Sequence, residues 1–232
     1  MDFNKHKFFM LQILRDIYSD LELANALGFK GGTALMLFYN LPRFSVDLDF
    51  NIIQSDKEKE TEIYLKLRNI LLKYGKIDDE AQKFFGPILV LDYGKGERKL
   101  KVEISNRQYD NHYEVKSFMG INMLVMTIAD MFAHKLCALL DRNELTNRDI
   151  FDCWFFMENH TPVNKNLVES RMKMPFPDYL QNCIDKLNCI SDNGLLNGIG
   201  DLLNDKMKKF VRTKLRAEAI FLLNFYKEFP IT

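Results

Sequence analysis

Two aspartates separated by one residue, Asp47 and Asp49, have the spacing in this chain that most directly suggests chemistry. They lie in the segment 44–52, where apolar and polar residues alternate, and this alternation predicts a half-buried strand. Successive side chains of a strand point to opposite faces, so both carboxylates share one face, with their Cα atoms about 6.6 Å apart. Two such charges repel by roughly 4 kcal/mol at 4 Å and an effective dielectric near 20, and a divalent cation would offset that repulsion. A strand with one solvated face gives the same pattern, so the neighbouring residues have to decide.

A third carboxylate, Glu103, lies in a second segment with strand-like alternation, Leu100-Lys101-Val102-Glu103-Ile104. If this strand lies beside the first, Glu103 joins the two aspartates on one side of a sheet. Three carboxylates with substrate phosphates would suit Mg²⁺, which prefers oxygen ligands. Lys101 occupies the same face, so a salt-bridged surface is the alternative.

A glycine pair followed by a threonine, Gly31-Gly32-Thr33, precedes the aspartates. Residues without Cβ atoms let a phosphate approach the backbone closely. A helix that begins at Thr33, with Thr33 as its N-cap, would present free N–H groups and its positive dipole end to that phosphate. Alone, the tripeptide is equally typical of a plain strand-to-helix turn. Followed by Arg43, Ser45 and the aspartate pair, it indicates a nucleotide-binding segment more specifically.

The periodicity of apolar residues predicts an α/β (α+β) half followed by a helical half. It predicts helices over 5–27, 33–39 and 56–73, and strands over 44–52, 88–93 and 100–104, with a hairpin turn at 94–97. Helical spacing begins at Met123, followed by short helices and loops over 161–200 and a final helix over 202–226. We therefore expect an α/β domain over residues 1–120 and a helical domain over residues 121–232.

The composition is that of a folded protein without a global charge bias. The 232 residues are 47% hydrophobic and 28% charged, with a formal net charge of zero. No apolar run approaches the roughly 20 residues of a membrane span, and the N-terminal segment lacks a signal-peptide core. The four cysteines show no CxxC spacing, and Cys137 and Cys153 lie in apolar helical patterns that predict buried free thiols. A reducing compartment, the cytoplasm, is expected, with no membrane partner.

A nucleic-acid partner would therefore need a local basic patch. One candidate is the predicted final helix, which carries the basic residues Lys206, Lys208, Lys209, Arg212, Lys214 and Arg216. Such a helix face could follow a phosphate backbone. The solvated face of an amphipathic helix has the same composition, so both interpretations are open.

Two blocks of the sequence resemble a known family. The first is Lys30-Gly31-Gly32-Thr33-Ala34-Leu35 with Arg43-Phe44-Ser45-Val46-Asp47-Leu48-Asp49-Phe50, and the second is His134-Lys135-Leu136-Cys137-Ala138-Leu139, Arg142 and Arg148-Asp149-Ile150-Phe151-Asp152. In this order they resemble the AbiEii/AbiGii toxin family. Its members are nucleotidyltransferase-like toxins of bacterial type IV toxin–antitoxin and abortive-infection systems.

The resemblance implies a nucleotidyltransferase fold, a mixed sheet with flanking helices and a C-terminal helical domain that completes the site and contacts substrate. It implies Mg²⁺ as cofactor, bound by Asp47, Asp49 and Glu103. It implies nucleotide binding by Gly31, Gly32, Thr33, Arg43, Ser45 and Lys135. It places Lys135, Asp149 and Asp152 beside the three carboxylates as catalytic residues. Without the resemblance, Lys135 could snorkel to the surface, and Arg148 and Asp152 could form an ordinary i, i+4 pair.

The expected reaction is transfer of a nucleotide from a nucleoside triphosphate to an RNA acceptor, with tRNA as the favoured acceptor. A cognate antitoxin encoded nearby is the expected partner. Two alternatives are open: a nucleotidyltransferase that modifies a small molecule or a protein, and a catalytically silent member of the fold that binds RNA or a partner protein.

Overall fold

A computed structural model describes residues 2–53, 57–142 and 144–231. The expected helix start at Asp56, and the outermost residues of the two expected domains, Met1 and Thr232, lie outside the described residues. The chain divides into two compact units. Unit 1 comprises the described residues of Met1–Asn40, Phe44–Gln108 and Tyr113–Met126, and unit 2 those of Leu41–Arg43, Tyr109–His112 and Thr127–Thr232.

Unit 1 contains a mixed β-sheet, to which the described residues contribute seven strands. In chain order the strands are β1 (Leu27–Lys30), β2 (Asp47–Ile52), β3 (Lys76–Lys83), β4 (Gly86–Asp92), β5 (Leu100–Ser105), β6 (Tyr113–Phe118) and β7 (Ile121–Met126). Across the sheet the order is β3-β4-β5-β2-β1-β7-β6. The pairs β2–β5 and β1–β7 are parallel, and the other neighbours are antiparallel.

One face of this sheet forms the core of unit 1. Leu48, Phe50 and Val102 are fully buried on it. The helices of unit 1 are α1 (Phe3–Ser19), α2 (Leu21–Ala26), α3 (Gly31–Phe38) and α4 (Lys57–Leu72). Helix α1 contributes Ile13 and Ile17 to the core, because its apolar residues recur at helical spacing. The expected mixed sheet with flanking helices is confirmed.

Three predicted elements differ from the structure. The helix predicted over 5–27 is α1, α2 and β1, because the Asp20 carboxylate accepts hydrogen bonds from the N–H groups of Glu22 and Leu23 and begins a new helix there. The helical spacing assigned from Met123 is wrong for residues 123–126, which belong to β7. Gly120, near the expected domain boundary, lies in the turn between β6 and β7, so the sheet continues beyond it.

Unit 2 is helical apart from its loops. Its helices are α5 (Ile128–Asp141), α6 (Asn147–Glu158), α7 (Lys165–Met172), α8 (Phe176–Asn188), α9 (Asp205–Thr213) and α10 (Leu215–Glu228), with a short 3-10 helix at Gly200–Leu202. Phe132 of α5 stacks on Phe156 of α6, with ring centroids 4.8 Å apart, and Tyr226 of α10 meets Phe132 edge-on. These buried rings join the three helices into one core.

The single final helix predicted over 202–226 is wrong. Lys214, with φ −137°, leaves the helical conformation and separates α9 from α10. The basic residues are therefore divided between two helices. Arg216 pairs with Asp192 at 2.6 Å, and Lys208 with Asp205 at 3.2 Å.

No helix in the described parts of the chain is long and apolar enough to cross a membrane. The expectation of buried free thiols is confirmed for Cys137 and Cys153; Cys183 is also buried and free, whereas Cys189 is free and exposed.

Candidate active site

The two aspartates lie on β2, and the register of the sheet brings Glu103 beside them. In the parallel pair β2–β5, Asp49 is directly opposite Glu103, and Asp47 is opposite Lys101. Directly paired residues share a face, so the three carboxylates and Lys101 lie on the same side of the sheet, opposite the apolar core. All four side chains are half-buried. The sequence left open whether the strands of Asp49 and Glu103 are neighbours, and the register shows that they are.

Lys101 is a cation of this face that pairs directly with one of its carboxylates. Its Nζ donates to Oε2 of Glu103 at 2.8 Å, and the two side chains are 35% and 42% exposed. The salt bridge considered as the alternative thus forms, but inside an acidic cluster. The negative charges of Asp47 and Asp49 also attract Lys101 and favour its charged form.

The carboxylates differ in how readily they ionise. Burial raises the pKa of Asp49, the nearby charge of Asp47 raises it further, and Lys101 and Lys30 oppose the shift only in part. Burial also disfavours ionised Glu103, but the hydrogen bond and charge of Lys101, with the charges of Lys30 and Lys83, lower its pKa below the usual value. Negative charge is therefore less compensated at Asp49 than at Glu103.

The carboxylates of this face are oxygen donors of the kind that a divalent cation such as Mg²⁺ prefers. Within the described part of the chain, no three His, Cys, Asp or Glu side chains are grouped closely enough to hold a metal ion. Glu103 is engaged by Lys101, which leaves Asp47 and Asp49 as the donors that lie two residues apart on one strand. Two hard oxygen donors with unbalanced charge fit Mg²⁺, which commonly takes one or two carboxylates and completes its shell with water and phosphate.

The glycine pair forms the turn next to Asp49. Lys30, the last residue of β1, lies opposite Asp49, and Gly31 begins α3 with φ +80°. A Cβ on Gly31 would collide with Oδ2 of Asp49. The missing side chain therefore lets the carboxylate lie against the backbone where α3 begins, and the first N–H groups of a helix lack intrahelical partners.

Thr33 has a different role from the predicted one. Helix α3 begins at Gly31 with Lys30 as N-cap, and no side chain caps it. Thr33 is fully buried, and its hydroxyl donates to the backbone carbonyl of Asp47 at 2.5 Å. The N-cap prediction for Thr33 is therefore wrong, because this hydroxyl joins α3 to the start of β2. Gly32 is buried in α3, and Ser45, also buried, precedes β2 by two residues.

The other predicted residues form a separate cluster in unit 2. Asp152 of α6 is fully buried and accepts two parallel hydrogen bonds from Arg43, Nε to Oδ1 and Nη2 to Oδ2, both 2.7 Å. Lys135 of α5 lies between the two aspartates, with Nζ 2.7 Å from Asp152 and 3.0 Å from Asp149. Arg142 pairs with Asp149 at 2.9 Å. The cations predicted to meet phosphates are thus engaged with carboxylates in this structure.

This cluster is strongly ionic although it is buried. Burial alone would raise the pKa of Asp152, but Arg43 and Lys135 outweigh it and lower the pKa to about 2. The same balance, with Lys135 and Arg142 as the cations, lowers the pKa of Asp149. Burial opposes the charge of Lys135, yet the two carboxylates raise its pKa. Lys135 is therefore not a snorkelling surface residue, since its side chain is 19% exposed and paired at the inner end.

Some residues of both clusters were not assigned by the sequence. The sequence gives Lys30 no role of its own, because β1 is four residues long and shows no alternation. Thr146 caps α6 and its hydroxyl donates to Oδ2 of Asp149 at 2.7 Å. The pattern Thr146-x-x-Asp149 is a recognisable helix-start signal and would have located it.

The chain is similar to a known protein family over a range that contains both clusters. The model of the AbiEii family, described as nucleotidyl transferase AbiEii toxin of a type IV toxin–antitoxin system, matches residues 12–214. No curated protein matches the sequence.

Solved structures share the fold over nearly the whole chain. JHP933 from Helicobacter pylori is 20% identical, with a TM-score of 0.61 over 97% of this chain and 92% of its own. A protein described as a putative nucleotidyltransferase from H. pylori is 21% identical, with a TM-score of 0.59 over 97% and 94%. MenT4, a nucleotidyltransferase toxin from Mycobacterium tuberculosis H37Rv, is 18% identical, with a TM-score of 0.64 over 95% and 84%.

Proposed function

Because the chain belongs to the AbiEii family of nucleotidyl transferase toxins of type IV toxin–antitoxin systems, we propose that it transfers a nucleotide from a nucleoside triphosphate to an RNA acceptor, with tRNA as the favoured acceptor and Mg²⁺ as cofactor. The observation that carries this proposal is the position of Asp47 and Asp49 on one face of β2, beside the glycine turn that begins α3. A carboxylate pair next to free helix N–H groups suits a metal-bound triphosphate.

The proposed reaction is an in-line displacement at the α-phosphorus. A hydroxyl oxygen of the acceptor forms a bond to the α-phosphorus, the bond from that phosphorus to the oxygen bridging to the β-phosphate breaks, and pyrophosphate leaves with the electron pair. Mg²⁺, when bound, neutralises the phosphates and favours an attacking alkoxide. Asp47 and Asp49 would bind it through their carboxylate oxygens.

Glu103 is the proposed acceptor of the hydroxyl proton. It lies directly opposite Asp49, and Lys101 holds it ionised at neutral pH by lowering its pKa. An ionised carboxylate within reach of the acceptor hydroxyl is able to take up the proton. Glu103 also stays a proposed metal ligand, which would require its bond to Lys101 to rearrange.

Residues around the glycine turn are proposed to hold the nucleotide. The backbone at Gly31 and Gly32 would meet the phosphates, since neither residue has a Cβ to exclude them. Thr33 and Ser45 are buried, so they would act by fixing the ends of α3 and β2.

The cluster of unit 2 is proposed to supply positive charge. Arg43, Lys135 and Arg142 surround two carboxylates, Asp149 and Asp152, so the cations exceed the anions by one. In this assignment Lys135 and Arg43 stabilise phosphate charge, and the aspartates position them.

An RNA acceptor has one further support on the surface of unit 2. A cavity of about 570 Å³ is lined by Asp205, Lys208, Lys209, Arg212 and Thr213 of α9. Its three cations suit a phosphate backbone. Since tRNA and nucleoside triphosphates are cytoplasmic, we place the reaction in the cytoplasm. The cognate antitoxin is proposed to be encoded nearby.

The deciding experiment incubates the purified protein with Mg²⁺, bulk tRNA and each α-³²P-labelled nucleoside triphosphate in turn. Label on RNA that is lost in the Asp47→Ala/Asp49→Ala variant would support the proposal and identify the nucleotide. Charge reversal of Lys208, Lys209 and Arg212 should abolish labelling of RNA but spare a small-molecule acceptor. Absence of label on RNA with every nucleotide would refute the RNA assignment and leave small-molecule or protein acceptors. Failure of those acceptors as well would indicate a binding protein.

A further inference from the structure

The turn between β3 and β4 presents two phenylalanine rings to solvent. Phe84 is 89% exposed and Phe85 is 47% exposed, and their ring centroids lie 4.9 Å apart with planes at 84°. Single exposed apolar residues are common on proteins. Two adjacent exposed aromatic rings at the end of a hairpin are more unusual, and the charged residues beside them indicate which kind of ligand they suit.

Cations flank these rings. The guanidinium carbon of Arg107 lies 3.8 Å from the centroid of Phe85, close enough for a stacked cation–π contact, and Lys83 precedes Phe84 on the exposed side of β3. The backbone N–H of Asn106 donates to the carbonyl of Phe85 at 3.1 Å and fixes the turn against the end of β5. We call Lys83, Phe84 and Phe85 the hairpin tip.

Lys83 of the hairpin tip points to the side of the sheet that carries the carboxylates. Glu103 of β5 is opposite Ile88 of β4, and Ile88 is opposite Ala81 of β3, so the three share one face. Lys83, two residues after Ala81, points to the same face. At about 4.8 Å between strands and 3.3 Å per residue, Lys83 lies on the order of 12 Å from Glu103. A few nucleotides of an extended strand would cover that distance.

We propose that the hairpin tip and Arg107 bind the single-stranded end of the acceptor RNA, with a base stacked on Phe84 and backbone phosphates beside Lys83 and Arg107. This inference rests on the proposed function, because it assigns a surface to the acceptor of that reaction. Exposed rings with interleaved cations match single-stranded nucleic acid, in which flat bases alternate with negative phosphates. A purely apolar protein partner would leave the two cations unmatched.

The exposed ring of Phe84 favours single-stranded RNA over a duplex. A base can reach the face of Phe84 only if that base is unstacked from its neighbours, as at the end of a strand or in a loop. Stacking on phenylalanine tolerates any base. The surface would therefore guide an RNA end toward the carboxylates without selecting its sequence.

The test measures binding apart from catalysis, with the full chain in EDTA and without nucleotide. The probe is a fluorescein-labelled, unstructured 12-nucleotide RNA, followed by fluorescence anisotropy. We expect Phe84→Ala to weaken binding about tenfold and Phe84→Trp to restore it, because tryptophan also stacks. Phe229→Ala, which removes a ring 67% exposed on the other unit, is the matched control and should bind as the wild type.

Replacement of the cations should change the salt dependence of RNA binding. Lys83→Ala and Arg107→Ala should each reduce the slope of log affinity against log salt concentration by about 0.7, the value for one lost phosphate contact on a single strand. Phe84→Ala should leave that slope unchanged.

Two results would overturn the inference: equal RNA affinity of Phe84→Ala and the wild type, or no RNA binding by the wild type. If the RNA affinity is equal and the sedimentation coefficient of Phe84→Ala differs from that of the wild type, the hairpin tip is instead a contact between copies of the chain. The transfer assay separates this inference from the proposed function. Label transfer to RNA with an unchanged KM for RNA in Phe84→Ala would refute the surface alone. Phe84-dependent RNA binding without transfer by the wild type would refute the reaction alone.

Discussion

Gly31 leaves room for the carboxylate of Asp49. A Cβ on Gly31 would lie 3.0 Å from the Cβ and 3.1 Å from the Cγ of Asp49, and closer still to Oδ2. The backbone at Gly31 has φ +80°, a conformation that residues with side chains rarely adopt. The turn before α3 and strand β2 thus pack closely where Gly31 meets Asp49, and this contact favours glycine at position 31.

Gly31→Ala should destabilise the protein through both the backbone strain and the collision. Gly96→Ala is the matched control, because Gly96 has the same φ of +80° but open space around its Cα. Strain alone should cost Gly96→Ala about 1–2 kcal/mol, and Gly31→Ala should lose more than this in the free energy of unfolding measured with urea. Equal losses would show that Asp49 moves aside without cost.

Asp49→Asn should stabilise the metal-free protein while it removes activity. The neutral amide relieves repulsion from Asp47, so in EDTA the free energy of unfolding should rise by about 1–3 kcal/mol. Mg²⁺ at 100 times its dissociation constant should stabilise the wild type by about 2.7 kcal/mol and the variant hardly at all. Nucleotide transfer should fall at least about 100-fold.

Asp79→Asn, which changes an exposed carboxylate on β3, should leave the Mg²⁺ response and the transfer rate unchanged. A variant at Asp49 that retains the full Mg²⁺ response would argue against the assignment of this carboxylate as a ligand.

Asp152→Asn should be strongly destabilising. Asp152 balances Arg43 and Lys135 in a buried site, and removal of its charge leaves both cations poorly compensated. The expected loss is about 3–5 kcal/mol in the free energy of unfolding. Asp185→Asn, at an exposed position of α8, should change it by less than about 0.5 kcal/mol. A loss below about 1 kcal/mol for Asp152→Asn would mean that the cluster relaxes or admits water.

Protonation of Asp152 should contribute to unfolding of the protein in acid. The pKa of Asp152 is about 2 in the folded protein and near 3.9 in an unfolded chain, so the folded state favours the ionised form. Its contribution, about 2–3 kcal/mol, is present above pH 4 and is lost as the pH falls from about 4 through 2. Urea unfolding at pH 7, 5, 4 and 3 should show a steeper loss for the wild type than for Asp152→Asn. Parallel profiles would contradict this.

The strands that could be predicted from the sequence are those with one apolar and one polar face. β2 and β5 alternate, because the core takes every second residue and the carboxylates take the others. β7 is nearly continuous in apolar residues, so its composition resembles that of a buried helix. β3 is almost entirely polar and lies at the edge of the sheet, so no apolar period marks it.

Some relationships between the candidate residues could be predicted from local spacing, and others could not. Local spacing indicates that Asp47 and Asp49 share a face, because two residues of one strand suffice for that conclusion. The bond between Arg43 and Asp152 joins positions 109 residues apart and has no local signal. The hydroxyl of Thr33 was misassigned for the same reason, since its acceptor is on another element.

Neither unit is a continuous length of chain. Residues 41–43 and 109–112 belong to unit 2, although residues of unit 1 precede and follow each segment. A gene cut at codon 127 would therefore produce a helical fragment that contains Asp152 but lacks Arg43. Exchange of the continuous segment 127–232 between relatives would separate the same two residues. Because each of these side chains compensates the buried charge of the other, substitutions of Arg43 and Asp152 are expected to occur together among relatives.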